Sequence, residues 1–361
     1  MTVSASVRKR LSPAFALDLS FSAPPGITIV YGASGSGKTT LLRCLAGLTQ
    51  PDSGRIAIGD RTLFDSAASY RLPAQQRHVG YVFQQLALFP HMTVARNLEY
   101  GLRHLPPDER RRRILGVAES FRIAHVLERK PSRTSGGERQ RAALARSLVT
   151  DPTLLLLDEP LSALDHVMQS RIIEDLRAWN RAHGIPILYV THAHREVFAL
   201  GERVMVLDRG SLIAEGTPSD VMETPAHEPI AQLAGFENFF DASVVRRRPD
   251  AGTMHCRLDS GGAELEVPLT SAEPGARVRV AIRAGDILLA VEEPRGLSAR
   301  NVLPGRIVSL VREGAMVVAD VDAGARFIVH LTPSAVESLA LNAGRESWLI
   351  IKTHSCRIVS T

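Results

Sequence analysis

A glycine-rich segment near the start of the chain, set between a strand-like run and a helix-like run, constrains the fold most. Residues 26–31 (GITIVY) are typical of a buried strand, and residues 38–48 follow a helical pattern. Between them the sequence fits G-x-x-x-x-G-K-[ST], in which glycine N–H groups and a helix N-terminus surround phosphates and the lysine reaches the β- and γ-phosphates. A plain glycine-serine turn would carry the Lys-Thr pair only by coincidence. The nucleotide-binding candidates are Gly32, Ala33, Ser34, Gly35, Ser36, Gly37, Lys38, Thr39 and Thr40.

A second apolar run, residues 153–157, ends in two adjacent carboxylates. A strand that delivers Asp158 and Glu159 at its end would place Asp158 beside a Mg²⁺ ion held by the Thr39 hydroxyl. Glu159 would then face the attacking water, so it is the candidate general base. A strand that ends in Asp-Glu-Pro is often only an exposed turn, and the functional interpretation depends on the phosphate site.

The sequence Ser-Gly-Gly-Glu at residues 135–138 precedes a long helical stretch. Ser135 can cap this helix, with Glu138 completing a capping box. The same arrangement, a hydroxyl and the N–H groups of Gly136 and Gly137 at a helix N-terminus, also binds phosphate. Physical chemistry alone leaves both interpretations open.

The order of the segments indicates an α/β fold followed by a β-rich tail. Short apolar strands alternate with helices over the first two thirds, which predicts a parallel sheet with helices on its faces. Strand signals vanish over about 86–150, which indicates a helical insertion. We expect one domain over 1–235, a linker and β segment over 236–292, and a small β-barrel over 293–361.

Composition excludes several classes of protein. At 361 residues, 45% hydrophobic and 22% charged, the chain is typical of a globular protein of two or three domains. The net charge of +5 is small, and the run 110–113 of four arginines is typical of a solvated helix face. Three scattered cysteines fit a reducing compartment, and no segment has the length and apolarity of a membrane span or secretory signal. We therefore expect a cytoplasmic protein that meets a membrane only through partners.

Six motifs together resemble the ATPases of ABC transporters over residues 1–235: the segments 32–39, 82–84, 135–140, 154–160, 162–165 and 191–192. The resemblance implies a P-loop NTPase fold, ATP and Mg²⁺ as cofactors, and a head-to-tail homodimer. Ser135, Gly136 and Gly137 of one subunit would complete the ATP site of the other. It also implies that Gln84 senses the γ-phosphate and metal and that His192 contacts the γ-phosphate.

Two departures from the family pattern concern Thr134 and the adenine-stacking aromatic. Thr134 begins the signature where relatives usually have leucine. No tyrosine before residue 31 matches the residue that stacks on adenine in many relatives, so Phe15 is the candidate. The apolar segment 88–94 resembles the surface that docks a membrane subunit, although core packing explains it equally well.

The tail contains the segments 298–305, 314–321, 331–334 and 350–352. With these segments it resembles the small β-barrel (Mop or TOBE type) that binds molybdate-like oxyanions. An ABC ATPase with such a tail resembles the ATPase subunits of molybdate importers, which would sit peripherally on the cytoplasmic face of the inner membrane. Such a subunit would work with membrane permeases and, indirectly, a periplasmic oxyanion-binding protein. A tail serving only dimerisation is the alternative. The candidate oxyanion residues are Ser298, Arg300, Asn301 and Lys352.

Other functions remain open at this point. An importer ATPase for sulfate or sugar would also carry a C-terminal β-barrel, and tungstate could replace molybdate as cargo. A soluble ABC ATPase acting on nucleic acid usually has two cassettes or a long coiled coil, which this chain lacks, so we expect no nucleic-acid partner. A P-loop phosphotransferase would leave the segment 135–138 and His192 unexplained.

Overall fold

The computed structural model describes residues 1–223, 225 and 227–359. Contacts between Cα atoms divide the chain into two compact units, Met1–Ser219 and Asp220–Thr361. The expected boundary at residue 235 lies inside the second unit. The segment 236–292, expected as a linker with β structure, belongs to the second unit.

A six-stranded sheet, order β11-β10-β3-β9-β8-β7, forms the centre of the first unit. All neighbouring strands are parallel except the pair β10 and β11, which form a hairpin. Continuous apolar runs such as Leu154–Asp158 suit strands whose two faces are both covered. The carboxyl ends of parallel strands share one edge, which brings the segments after β3, β8 and β9 together. The strands are β3 (Gly26–Tyr31), β7 (Val79–Val82), β8 (Leu154–Asp158), β9 (Pro186–Thr191), β10 (Arg203–Asp208) and β11 (Ser211–Gly216).

An antiparallel sheet, order β2-β1-β4-β5-β6, lies at the start of the same unit. Strand β1 alternates buried Val3, Ala5 and Val7 with exposed polar residues, the pattern of a sheet with one covered face. This face shares one hydrophobic core with helix α1 and the parallel sheet. The strands are β1 (Val3–Ser12), β2 (Phe15–Ala23), β4 (Ser53–Ile58), β5 (Arg61–Asp65) and β6 (Tyr70–Arg71).

Helices flank the parallel sheet, and three of them form the expected helical insertion. Between β7 and β8 the described chain contains α2, α3 and α4 with short 3₁₀ turns and no strand. None of the helices in the described part of the chain combines the length and the apolarity needed to cross a membrane. The helices are α1 (Lys38–Ala46), α2 (Val94–Glu99), α3 (Pro107–Ser120), α4 (Gly136–Leu148), α5 (His166–His183) and α6 (His194–Leu200).

The second unit consists of two curled five-stranded antiparallel sheets, orders β14-β13-β12-β15-β21 and β16-β20-β17-β18-β19. Their inner faces share one core, which includes Phe240, Val280, Phe327 and Ile351. The strands are β12 (Asn238–Arg248), β13 (Thr253–Leu258), β14 (Glu264–Pro268), β15 (Arg277–Ile282), β16 (Ile287–Ala290), β17 (Asn301–Glu313), β18 (Met316–Asp322), β19 (Arg326–Leu331), β20 (Glu346–Ile351) and β21 (Cys356–Val359). The remaining helices are α7 (Pro218–Met222), α8 (Glu228–Leu233) and α9 (Pro333–Ser338).

The three cysteines are buried and none forms a disulfide. Burial is the main cause that raises the pKa of the Cys44 and Cys256 thiols to about 11 and that of Cys356 to about 12. Each thiol therefore stays protonated near neutral pH.

Candidate functional site

The glycine-rich loop between β3 and α1 has a backbone that only glycine fits at two positions. Gly32 has φ +156°, and a Cβ there would lie 2.2 Å from the carbonyl oxygen of Leu207. Gly37 has φ +104°, and a Cβ there would lie 2.9 Å from Leu17 Cδ1 and 3.3 Å from Phe15 Cζ. The loop therefore lies tightly against its neighbours, and the Phe15 ring stands beside it.

Lys38 is folded back onto this loop. Its Nζ donates hydrogen bonds to the carbonyl oxygens of Gly32 and Ala33, each at 2.8 Å. Burial lowers the pKa of Lys38, while the nearby Glu159 and Asp158 carboxylates oppose that shift. The Ser36 hydroxyl is buried and finds no hydrogen-bond partner within the described residues. A buried cation and an unsatisfied hydroxyl in one loop fit a phosphate group of a nucleotide.

Asp158, at the end of β8, is oriented through both of its carboxylate oxygens. The Thr39 hydroxyl donates to Oδ1 at 3.0 Å, and the Tyr81 hydroxyl donates to Oδ2 at 3.1 Å. Burial raises the pKa of Asp158, and these two hydrogen bonds counteract the rise. Tyr81 is not among the residues expected from the sequence, because a single tyrosine near the end of β7 belongs to no pattern of charged or glycine residues.

A cavity of about 440 Å³ joins Thr39, Asp158 and Gln84. It therefore brings together the three residues whose oxygens were expected at the metal. Hydroxyl, carboxylate and amide oxygens are the ligands that Mg²⁺ prefers, so the donor set fits this ion.

Glu159 and His192 meet at the carboxyl ends of β8 and β9. His192 Nδ1 lies 3.1 Å from Glu159 Oε1, and the main-chain N–H of Glu159 donates to the carbonyl of Val190 at 3.1 Å. Glu159 adopts the left-handed conformation, φ +45°, which is strained for a residue with a side chain. The His192 side chain is 60% exposed and that of Glu159 18% exposed, so the pair is open to a substrate on the histidine side.

The segment 135–138 forms the capping box that its sequence allows. The main-chain N–H of Glu138 donates to the Ser135 hydroxyl at 3.3 Å, and the N–H of Ser135 donates to the Glu138 carboxylate at 2.7 Å. The hydrogen bond from that N–H is the main cause that lowers the pKa of Glu138. Ser135 is exposed, and Gly137 packs against Met168, since a Cβ there would lie 2.7 Å from Met168 Sδ. The residues that line the Gln84 cavity do not include Ser135, Gly136 or Gly137.

Arg77, which is also not among the expected site residues, holds the far end of α1. It is almost fully buried, and its guanidinium donates to the carbonyl oxygens of Cys44, Leu45 and Leu72 at 2.8 to 3.0 Å. The first two carbonyls lie in the last turn of α1, where a positive charge is favourable. Burial lowers the pKa of Arg77. The helix that carries Lys38 and Thr39 is thus fixed at both ends.

In the second unit the four candidate oxyanion residues separate into two groups. Ser298 and Lys352 line a cavity of about 340 Å³ together with Asp286, His354 and Ser355. This lining does not include Arg300 or Asn301. The Asn301 amide is engaged elsewhere: its Oδ1 accepts from the N–H of Glu266 at 2.6 Å, and its Nδ2 donates to the Glu266 carbonyl at 2.9 Å. Asn301 therefore links the two sheets.

Comparisons with known proteins find a matching family in each of the two units. The ABC transporter family matches residues 17–162, and the TOBE domain family matches residues 297–358. The molybdenum import ATP-binding protein ModC of Paramagnetospirillum magneticum is 38% identical, over 95% of this chain and 95% of its own length. The protein of the same name from Mesorhizobium japonicum is 38% identical over 98% of this chain and 96% of its own length.

Solved structures resemble the chain over its first part. The ABC transporter cassette MJ0796, described as bacterial and dimeric, has a TM-score of 0.52 and 27% identity, and it covers 60% of this chain and 99% of its own. The same cassette in a dimeric post-hydrolysis state with ADP and phosphate has a TM-score of 0.51 and 27% identity, with the same coverage. The predicted fold class, an ABC cassette followed by a β-rich tail, is confirmed. The chain belongs to the family of ABC transporter ATPases that includes the molybdenum import ATP-binding proteins.

Proposed function

We propose that this chain hydrolyses Mg²⁺-ATP and thereby energises the import of molybdate through a separate membrane permease. The observation that carries the proposal is the similarity to molybdenum import proteins over 95 to 98% of the chain, tail included. The clustering of Lys38, Thr39, Asp158, Glu159 and His192 at one edge of the parallel sheet supports the hydrolytic part.

Each residue of this cluster has a role in hydrolysis. The loop 32–37 and Lys38 bind the β- and γ-phosphates, and Thr39, Asp158 and Gln84 hold Mg²⁺. The ion neutralises phosphate charge when it is bound. Glu159 accepts the proton of the attacking water, a contribution of roughly 10² to 10⁴ in rate.

His192 has a second role in the same step. It lies against Glu159 at 3.1 Å and donates a hydrogen bond to the charge that develops on the γ-phosphate. This contact also orients the Glu159 carboxylate, which the strained backbone at that residue presents to the site.

The active assembly is a head-to-tail homodimer. The exposed Ser135 hydroxyl and the N–H groups at the start of α4 complete the ATP site of the partner subunit, because a helix N-terminus attracts phosphate. The dimeric cassettes to which this chain is similar support the arrangement.

A surface of the helical insertion that includes Phe89 and Tyr100 binds the permease. The rings of these two residues lie 4.8 Å apart, and Tyr100 is 47% exposed. Docking on this surface holds the subunit at the cytoplasmic face of the inner membrane, where a periplasmic oxyanion-binding protein would supply the permease from the other side.

The tail, residues 293–361, binds the imported oxyanion. Ser298 donates a hydroxyl and Lys352 a positive charge to the cavity, and both are groups that bind tetrahedral anions. Arg300 is exposed and acts at long range, and Asn301 acts by fixing β17 to β14 through Glu266. Calorimetry of the full chain with molybdate, tungstate and sulfate tests this binding. Equal heats with sulfate, or none with molybdate at millimolar concentration, would contradict it.

The molybdenum content of cells with and without this gene tests the cargo. Cells would be grown at nanomolar molybdate, with and without excess sulfate, in a strain that lacks other molybdate uptake routes. We expect molybdenum content to collapse on deletion and sulfate to have no effect. Unchanged content would assign the ATPase to another cargo, with tungstate and sulfate as the next ions to measure.

A further inference from the structure

The segment that carries Gln84 continues in a backbone conformation that requires support. Leu86 and Ala87 have φ +41° and +49°, the left-handed region that residues with side chains rarely adopt. Two successive residues in this region are unfavourable unless neighbouring groups hold them. The support comes from helix α4, which lies about sixty residues further along the chain.

Arg146 of α4 supplies this support. Its guanidinium donates to the carbonyl oxygen of Ala87 at 2.7 Å and to that of Leu86 at 3.3 Å. It also lies over the Phe89 ring, 5.5 Å from the ring centroid. A planar guanidinium can bond to two carbonyls and contact a ring at once, which a lysine ammonium cannot.

The charge of Arg146 has no carboxylate partner in residues 1–223, 225 and 227–359, where no ion pair involves this side chain. Burial lowers the pKa of Arg146, so the guanidinium is held in place at a desolvation cost. A surface arginine that merely solubilises a helix would not be in this position.

Ser147, the next residue of α4, holds the other side of the same segment. Its hydroxyl donates to the carbonyl of Tyr81 at 3.1 Å, three residues before Gln84. Helix α4 is therefore bonded to the chain on both sides of Gln84. The same helix begins at Gly136, with Ser135 as its cap, so one rigid element connects the Gln84 segment to the signature residues.

We propose that Arg146 is a positioning residue that couples Gln84 to helix α4, so that ATP bound at one site moves the signature residues that complete the other. The inference rests on the proposed function, since it requires the homodimer. Loss of Arg146 uncouples the two sites while each still binds ATP.

The test uses the full-length chain and the variant Arg146→Lys, which keeps the charge but loses the fork. We expect ATP affinity within about twofold of wild type, a kcat lower by about tenfold, and a Hill coefficient for ATP that falls toward 1. The matched control is Arg345→Lys, because Arg345 donates to the carbonyl of Ala340, another left-handed residue, in the second unit. This control should behave as wild type.

A second variant separates coupling from simple support of the backbone. Ala87→Gly in the Arg146→Lys background removes the strain without restoring the link to α4. Coupling predicts that the Hill coefficient stays near 1, and recovery of cooperativity in this double variant would overturn the inference. A wild-type protein that hydrolyses ATP with a Hill coefficient of 1 would overturn it as well.

Amide hydrogen exchange tests the coupling without ATP hydrolysis, because it requires only that ATP binds. With Mg²⁺-ATP, wild type should gain protection in peptides covering both 84–90 and 135–140, and Arg146→Lys only in the first. Equal protection of both peptides in the variant would contradict the coupling. Failure of the proposed function would differ from this result, because it would appear as wild-type protein that does not hydrolyse ATP.

Discussion

The two units of this chain build their polar sites in different ways. In the first unit a continuous loop, residues 32–39, supplies most of the phosphate-binding groups, and its lysine is buried and already bonded to the loop. In the second unit Ser298 and Lys352 flank two paired strands, β17 and β20, and both are exposed. A site made by one continuous segment works as a unit, whereas a site assembled from separate strand ends tolerates change in each part.

Replacement of Glu159 tests the first half of this comparison and should have the largest effect. Glu159→Gln keeps the phosphate loop but removes the base, so we expect kcat to fall by roughly 10² to 10⁴ while ATP binding persists and a closed dimer accumulates. Turnover with radiolabelled ATP and size-exclusion chromatography with Mg²⁺-ATP measure the two effects. Lys38→Ala is the contrasting variant, because it should lose ATP affinity itself. Full hydrolysis by Glu159→Gln would remove this residue from the role of base.

Phe15→Ala tests whether the ring beside the phosphate loop stacks on the base of the nucleotide. The ring lies beside Gly37, and stacking of a base on an aromatic side chain is worth roughly 1–3 kcal/mol, so the Kd for ATP should rise about tenfold. Binding of a fluorescent ATP analogue measures this. Phe15→Trp is the control and should retain affinity. An unchanged Kd in Phe15→Ala would exclude stacking.

Tyr81→Phe tests the orientation of Asp158 and should have a smaller effect that depends on pH. The tyrosine hydroxyl stabilises the ionised Asp158 carboxylate, so its removal should raise the pKa of Asp158 further. Activity needs the ionised form, and it is lost as pH falls through this pKa. The acid limb of the kcat profile should therefore move to higher pH, with about threefold more Mg²⁺ needed for half activity. Tyr70→Phe, at an exposed tyrosine, should leave the profile unchanged.

Lys352→Ala tests the second half of the comparison and should affect ATP hydrolysis least. We expect the heat of molybdate binding to fall strongly, because the variant removes the Lys352 ammonium from that cavity, while kcat for ATP stays within about twofold. Arg300→Ala should lower this heat much less, since Arg300 lies outside the cavity and acts only at long range. A loss of ATP hydrolysis in Lys352→Ala would show that the tail contributes more than anion binding.

Much of the first unit could be predicted because its signals are local. The loop 32–39 can be recognised from the spacing of its glycines and lysine, and strand Gly26–Tyr31 has the bounds that its apolar run predicts. The antiparallel strands before residue 72 were not predicted, although the alternation in β1 carries the signal. Three residues could not be found in the same way, namely Tyr81, Arg77 and Arg146. Each donates hydrogen bonds to groups far away in the sequence, and for both arginines the acceptors are main-chain carbonyl oxygens.

In the tail, residue type and closeness in sequence suggest more anion-binding side chains than the fold brings together. Asn301 and Ser298 lie close in sequence and both have side chains suited to an anion, yet only Ser298 lines the cavity. The Asn301 amide bonds to the backbone of Glu266, which lies in the other sheet and comes near only because the two sheets pack together. Residue type limits which side chains could bind an anion, and the packing of the two sheets decides which of them are available.

The burial of all three thiols has a practical consequence for experiments on this protein. Maleimide reagents react with the thiolate form, and burial holds the pKa of Cys44, Cys256 and Cys356 at about 11 to 12. A cysteine introduced at an exposed position would therefore take up a fluorophore or spin label almost alone. Distances between labelled subunits could then be followed through an ATP cycle in a chain that keeps its native cysteines.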